Sequence, residues 1–243
     1  MAAPAPVPRA AGSPPPLVLA DGTVEALKWL ALVSMTGDHV NGFLLGGTWP
    51  ALFAAGRPAL PLFAVVLAYN LARPEAAARG LHRRALARLV LAGALASPPY
   101  LALGGACVGW WPLNAMFLLA LVTLVALRWE GSDGRPAQAV ALLLVGGVLV
   151  EYCWAGAALG VAVWRYCRRP TWLAAVAVLA AGAGLCWING NLWAFAALPL
   201  LAAATRLDLP VPRWRWVFYA YYPLHLAALW LIQRGLGASG AGF

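Results

Sequence analysis

A succession of long apolar stretches, each closed by Gly, Pro, Asn or Arg, constrains this chain more than any other feature. They run at about 26–45, 51–72, 85–104, 113–129, 137–151, 153–166, 171–188, 191–205 and 216–233. Most approach the roughly 20 residues a helix needs to cross the hydrocarbon core of a bilayer. Strands do not fit, because the stretches are rich in Ala and Leu and lack period-two alternation. Composition closes the soluble alternative. The chain is 63% hydrophobic and only 10% charged, against about 25% charged in a soluble domain, so a water-facing surface could not be covered. The expected fold class is all-α: a polytopic integral membrane helix bundle of about nine transmembrane helices, surrounded by membrane lipids.

Residues 1–22 are Ala/Pro-rich, and the run Pro14-Pro15-Pro16 excludes helix there. A flexible tail is expected over 1–22, a single transmembrane domain over 23–235 and a short tail over 236–243. The apolar run Leu17–Ala20 is too short for a signal peptide.

The net charge of +9 would point to nucleic acid in a soluble protein, but its distribution says otherwise. Arg73, Arg79, Arg83, Arg84 and Arg88 surround the second connection. Arg128 and Arg135 flank the fourth, Arg165, Arg168 and Arg169 the sixth, and Arg206, Arg213 and Arg215 the eighth. The connections around 46–50, 104–112, 151–153 and 189–191 carry no Lys or Arg. Basic loops stay on the cytoplasmic side, so the N-terminus is expected inside, with the membrane crossed many times. No nucleic-acid partner is expected. The pair 137–151 and 153–166 reads as a tight hairpin with Glu151 at its outer turn, since one long helix would place two arginine clusters on opposite sides.

Ionisable groups inside such segments cost about 2.5–3.5 kcal/mol each on insertion scales and are functional candidates by default. In the first span Asp38 and Asn41 share a face with Ser34, and His39 lies about 100° around the helix from Asp38. Asp38 stands 13 residues beyond Glu25, about 20 Å at 1.5 Å per residue, which sets it in the outer half of the bilayer. Arg57 reaches a similar depth from the outer end of the second span, and Asn114 and Glu151 fall near the same boundary. An outward-displaced polar chamber is expected, with Asp38 either orienting His39 or pairing with Arg57. His225 sits near the middle of the last span above Pro223, while His82, among Arg79, Arg83 and Arg84, reads as a surface histidine. Three histidines this far apart give no metal-ligand spacing, so no metal is expected. Cys107, Cys153, Cys167 and Cys186 form no C-x-x-C pair.

Particular strings also resemble a known family. They are Leu27 through Asp38-His39-Val40-Asn41, Gly56-Arg57 through Asn70, Pro112-Leu113-Asn114-Ala115-Met116-Phe117, and Phe218 through Pro223-Leu224-His225. Together they resemble the TraX family of conjugation systems over about 21–233. Pro58 departs from the aliphatic residue expected after the arginine. The resemblance implies a polytopic acyltransferase that takes acetyl groups from cytoplasmic acetyl-CoA and N-acetylates a conjugative pilin or another small membrane-resident acceptor. On that reading His39, Asp38 and Arg57 are the catalytic candidates. Asn41, Asn114, Glu151 and His225 are candidates for binding the acceptor, and Arg83, Arg84 and Arg88 for meeting the phosphates of acetyl-CoA. The rival expectations are O-acylation of an envelope glycan or lipid, and a non-enzymatic pilus-assembly protein.

Overall fold

The computed structural model describes residues 12–130 and 135–238. Its helices are α1 (Asp21–Leu44), α2 (Pro50–Gly56), α3 (Ala59–Leu71), α4 (Leu81–Ala102), α5 (Ala115–Glu130), α6 (Pro136–Leu149), α7 (Cys153–Arg168), α8 (Trp172–Asn189), α9 (Ala197–Ala204) and α10 (Val217–Ala238), with a 3-10 turn at Trp193–Ala196. Helices α2 and α3 form one run, as do the turn and α9, so among the described residues nine helical segments stand where about nine transmembrane helices were expected. No strand occurs among the described residues, and the protein is an all-α membrane helix bundle. Three segments, Pro50–Leu71, Leu81–Ala102 and Trp172–Asn189, are long and apolar enough to cross a membrane.

Proline places the break in the second segment. Pro58 has no N–H to donate, so α2 ends at Gly56, and α3 restarts at Ala59. The expected hairpin is present too: α6 and α7 are separate helices packed on each other. The turn between them is pinned by the neighbouring α4–α5 connection, with Leu113 N–H donating to Leu149 O at 2.8 Å and Glu151 N–H to Leu113 O at 2.9 Å.

Helix α5 runs through the centre, with Leu118, Val122 and Thr123 fully buried. Its neighbours approach through glycines. A methyl at Gly146 of α6, or at Gly156 or Gly160 of α7, would come within 2.6 Å of Leu121, Leu118 or Val122. Such small residues let helices associate where no hydrophobic force drives them together. The outer faces are apolar: Leu91, Leu95, Val145, Leu173, Val176 and Leu231 are all exposed, as a lipid-facing surface requires.

The basic connections gather at one end. Arg73 pairs with Asp21 at 2.5 Å, Arg168 with Glu130 at 2.5 Å and Arg213 with Glu25 at 3.6 Å, and Arg88 lies 4.3 Å over the Trp216 ring. His82 is buried here rather than on the surface. It is 2% exposed, because α5 ends with the Glu130 carboxylate only 3.4 Å from its Nε2. Of the expected N-terminal tail, residues 1–11 lie outside the described residues, as does 239–243 of the C-terminal one. Residues 12–20 run along this basic end. Tyr166 OH donates to Pro15 O at 2.5 Å, Trp172 Nε1 to Gly12 O at 2.7 Å, and Leu19 is buried.

Candidate active site

At the far end from the basic connections, α1, α2, α8 and α10 and the α6–α7 turn converge on a polar chamber. Asp38 of α1 forms an ion pair with Arg57 at the α2–α3 break. Gly56 makes the approach possible, since a Cβ there would lie 2.3 Å from Asp38 Cβ. Arg57 is further held by Asn189 Oδ1 and Phe53 O, each 3.3 Å away, and its guanidinium sits 4.2 Å over the Phe53 ring. The fork is thus fixed on several sides, as a directional cation must be. Asp38 spends its charge on Arg57 and makes no hydrogen bond to His39, which the 100° step between adjacent helical residues explains.

His39 instead meets His225 of α10. Its Nδ1 lies 2.8 Å from His225 Nε2, and the rings are nearly coplanar, 8° apart, so they meet edge to edge. The tautomers follow from the next link. His225 Nδ1 lies 3.1 Å from Tyr221 O, and a carbonyl only accepts, so this nitrogen carries the proton. His225 Nε2 is then the acceptor, and His39 Nδ1–H donates to it. That leaves the lone pair on His39 Nε2, which bonds to no described residue. A histidine oriented through one nitrogen and bare at the other has the form of a general base. Tyr221 is fixed in turn, its OH 2.8 Å from Thr36 Oγ1.

Asn41 and Asn114 have other duties. Asn41 is 1% exposed and accepts from Trp49 N–H at 3.0 Å, closing the α1–α2 loop. Asn114, equally buried, donates to Gly93 O at 2.9 Å and accepts from Met116 N–H at 3.1 Å, tying α4 to the start of α5. Glu151 does reach the chamber. The Arg57 charge acts on it, the Tyr100 hydroxyl is directed at its carboxylate, and Tyr222 lies within reach of that carboxylate's charge. Tyr222 also meets His225 edge to face at 5.4 Å. These tyrosines were invisible as site residues because aromatic rings in apolar segments read as packing. Asn189, in a connection singled out only for lacking Lys and Arg, also reaches the site through Arg57.

The three arginines assigned to a phosphate-bearing donor stand on the first turns of α4. Arg83 and Arg84 are exposed. Arg83 also lines a cleft of ≈ 360 Å³ with Ala77, Gly80, His82, Leu127 and Glu130. Arg88 is engaged with Trp216 and Tyr219. Exposed guanidinium groups at a helix N-terminus suit an anion. The four cysteines are free, and no cluster of metal-ligating side chains occurs among the described residues.

The family model described as TraX protein matches residues 23–233. Two curated relatives, both named Protein TraX, come from Escherichia coli and from its strain K12. The first is 35% identical over 135 residues, which is 55% of this chain and 51% of the relative; the second is 35% identical over 136 residues with the same shares. The chain therefore spans about half the length of the curated relatives it matches. No solved structure matches it. With the family model covering nearly the whole bundle, from the first turn of α1 to the last turns of α10, this chain is a member of the TraX family.

Proposed function

We propose that the chain is a multi-pass N-acetyltransferase of a bacterial inner membrane. It takes acetyl groups from cytoplasmic acetyl-CoA and places them on the N-terminal amine of a conjugative pilin or similar small membrane-resident acceptor. The observation that carries this reading is the His39–His225 pair with its bare Nε2, one residue along α1 from the Asp38 that fixes the Arg57 guanidinium.

Acetyl transfer needs a neutral amine, a base for its proton and a cation for the oxyanion. The amine nitrogen bonds to the thioester carbon, and the carbonyl electrons move to oxygen opposite Arg57. His39 Nε2 removes a proton from the nitrogen, and the imidazolium that forms keeps its Nδ1–H bond to His225. The C–S bond then breaks, and His39 returns the proton to the sulfur as coenzyme A leaves. His225 and Tyr221 O hold the ring in the working tautomer throughout.

The arrangement of charge fits a donor from the basic end. Arg88 packs on Trp216, nine residues before His225 on α10, about 14 Å along the helix at 1.5 Å per residue. Phosphates held at the α4 arginines need a slender arm of about that length to bring a thioester to His39, and coenzyme A has one. Basic loops on the cytoplasmic side set this end inside.

The test is side-specific. Oriented proteoliposomes receive labelled acetyl-CoA at the basic end and a membrane-inserted pilin-like peptide in the bilayer. Label in the peptide amide supports the reading. No transfer in either orientation, or label recovered only on lipid or glycan hydroxyls, rejects it.

A further inference from the structure

The charges at the basic end are not evenly answered. Asp21 pairs with Arg73, Glu25 with Lys28 and Arg213, Glu75 with Arg79, and Glu130 with Arg168. At the seam between α4 and α10 this changes: among the described residues Arg84, Arg88 and Arg215 form no ion pair. Arg88 instead stands 4.3 Å over the Trp216 ring and 5.8 Å from the centre of Tyr219. A cation of α4 and an indole at the head of α10 thus clasp across the seam. A ring contact neutralises no charge, and the N–H fork of a guanidinium suits a phosphate. Arg84, one turn nearer the water on the same face of α4, is exposed and also donates to Arg79 O. Arg215, next to Trp216, is exposed as well.

Beyond the clasp, each helix carries an exposed apolar stripe. Trp216 directly precedes α10, and its C=O accepts from Ala220 N–H at 3.0 Å, so helical spacing already holds there. Trp216, Ala220, Leu224 and Ala228 follow at four-residue steps on one face. All four are exposed, Trp216 by 64% and Leu224 by 66%. On α4, Arg88, Leu91 and Leu95 share a face at i, i+3 and i+7, with Leu91 and Leu95 exposed by 60% and 59%. The two helices pack on each other, and the contact of Arg88 with Trp216 brings the heads of both stripes to one seam. The 12 residues from Trp216 to Ala228 cover about 18 Å at 1.5 Å per residue, close to the roughly 15 Å of one leaflet's hydrocarbon. His225 is buried and lies half a turn around α10 from Trp216, so the seam is separate from the chamber.

We propose that the α4–α10 seam is a binding site for a phospholipid with a net negative head group. The phosphate sits at Arg88, with Arg84 and Arg215 on its flanks. The Trp216 indole lies at head-group level, where such rings settle, and an acyl chain runs along Leu91, Leu95, Ala220 and Leu224. Each part of the lipid is selected by a separate feature. Arginines that no carboxylate answers favour a net negative head group over a zwitterionic one. The apolar stripes call for a chain, which a soluble phosphate lacks. Ala220, small between Trp216 and Leu224, leaves a low point for that chain to enter. A lipid held this way bridges α4 and the first turn of α10, and so stabilises the folded bundle. The site does not depend on the transferase reading. Arg83, about 100° around α4 from Arg84, remains with the cleft it lines for a soluble donor's phosphates.

The experiment uses the full chain in a zwitterionic detergent, titrated with phosphatidylglycerol or with phosphatidylcholine of the same acyl chains. It reads the lipid concentration that gives half of the rise in unfolding temperature. Phosphatidylglycerol is expected to act at a concentration at least about fivefold lower. Arg88→Gln should raise its half-effective concentration about fivefold, the factor expected for one arginine at an anionic head group. Arg169→Gln, at an exposed arginine with no ion pair elsewhere on the same end, should leave it unchanged. Ala220→Trp alters an exposed position and keeps every arginine, yet fills the seam, and should raise the concentration several-fold. Equal potency of the two lipids on wild type, equal effects of Arg88→Gln and Arg169→Gln, or no effect of Ala220→Trp each overturns the proposal. So does stabilisation by inorganic phosphate, or by glycerophosphoglycerol without chains, at the concentration of the intact lipid, because the seam would then hold a soluble anion. None of these readouts involves acetyl transfer, so the lipid site and the transferase reading fail separately.

Discussion

Gly56→Ala and Gly42→Ala place the same methyl on the two partners of one helix contact with opposite outcomes. At Gly56 the new carbon would lie 2.3 Å from Asp38 Cβ and 2.8 Å from Cγ, whereas ordinary contact begins near 3.4 Å. Helices α1 and α2 must therefore separate by about an ångström at the Asp38–Arg57 pair. Overpacking of this kind costs about 1–3 kcal/mol. At about 2–4 °C per kcal/mol for a chain of this size, unfolding should occur roughly 2–12 °C lower. A displacement near 1 Å can also cost about 100-fold in rate where a group must be aimed. Gly42 is also helical, but a methyl there meets nothing within 4 Å, so alanine should stabilise by up to about 1 kcal/mol. Thermal unfolding read by fluorescence-detected size exclusion, with acetyl transfer measured on the surviving monodisperse protein, separates the two. If Gly56→Ala matches wild type in both readouts, or Gly42→Ala is equally damaging, the contact between Gly56 and Asp38 does not position the site.

Three further outcomes follow from the geometry. Asp38→Asn leaves Arg57 without its counter-charge and should cost about 3–5 kcal/mol; Asp38→Asn with Arg57→Gln should recover much of that stability in thermal unfolding but none of the transfer. Asn114→Ala leaves the Met116 N–H unpaired in a buried site and should cost about 1–3 kcal/mol, with the rate per folded molecule held within a few-fold; a selective loss of rate would give Asn114 a direct role. Cys107 is exposed while Cys186 is buried, so an impermeant maleimide applied to intact spheroplasts should label the wild type and lose most of its signal in Cys107→Ser. Labelling only after lysis would invert the orientation.

Hydropathy and arginine spacing were enough to place the helices, because lipid leaves the chain few alternatives and each Arg-rich connection punctuates a span. The α2–α3 break was foreshadowed by Pro58, and the α6–α7 hairpin by the charge alternation across Glu151. The Asp38–Arg57 pair was within reach as one of two options, because helical geometry turns His39 away from Asp38. The partnership of His39 with His225 was not legible: the two lie 186 residues apart, and only the packing of α1 against α10 joins them. Asn41 and Asn114 looked like site residues because polar groups in apolar segments invite that reading. They turn out to satisfy loop and helix-start N–H groups, which a membrane interior demands as strictly as any ligand does. His82 misled in the other direction, since nothing local announces the Glu130 carboxylate beneath it.

The central claim is that His39 Nε2 removes the proton from an acceptor amine with His225 behind it. The most direct measurement is the intact mass of a pilin-like peptide after incubation with acetyl-CoA and reconstituted wild type, His39→Ala or His225→Ala, each first shown to unfold at the wild-type temperature within a few degrees. Loss of the base should slow acetylation by about 100- to 10,000-fold, with a smaller loss for His225→Ala, which leaves the base in place but unoriented. Acetylated peptide accumulating at the wild-type rate with His39→Ala would contradict the account.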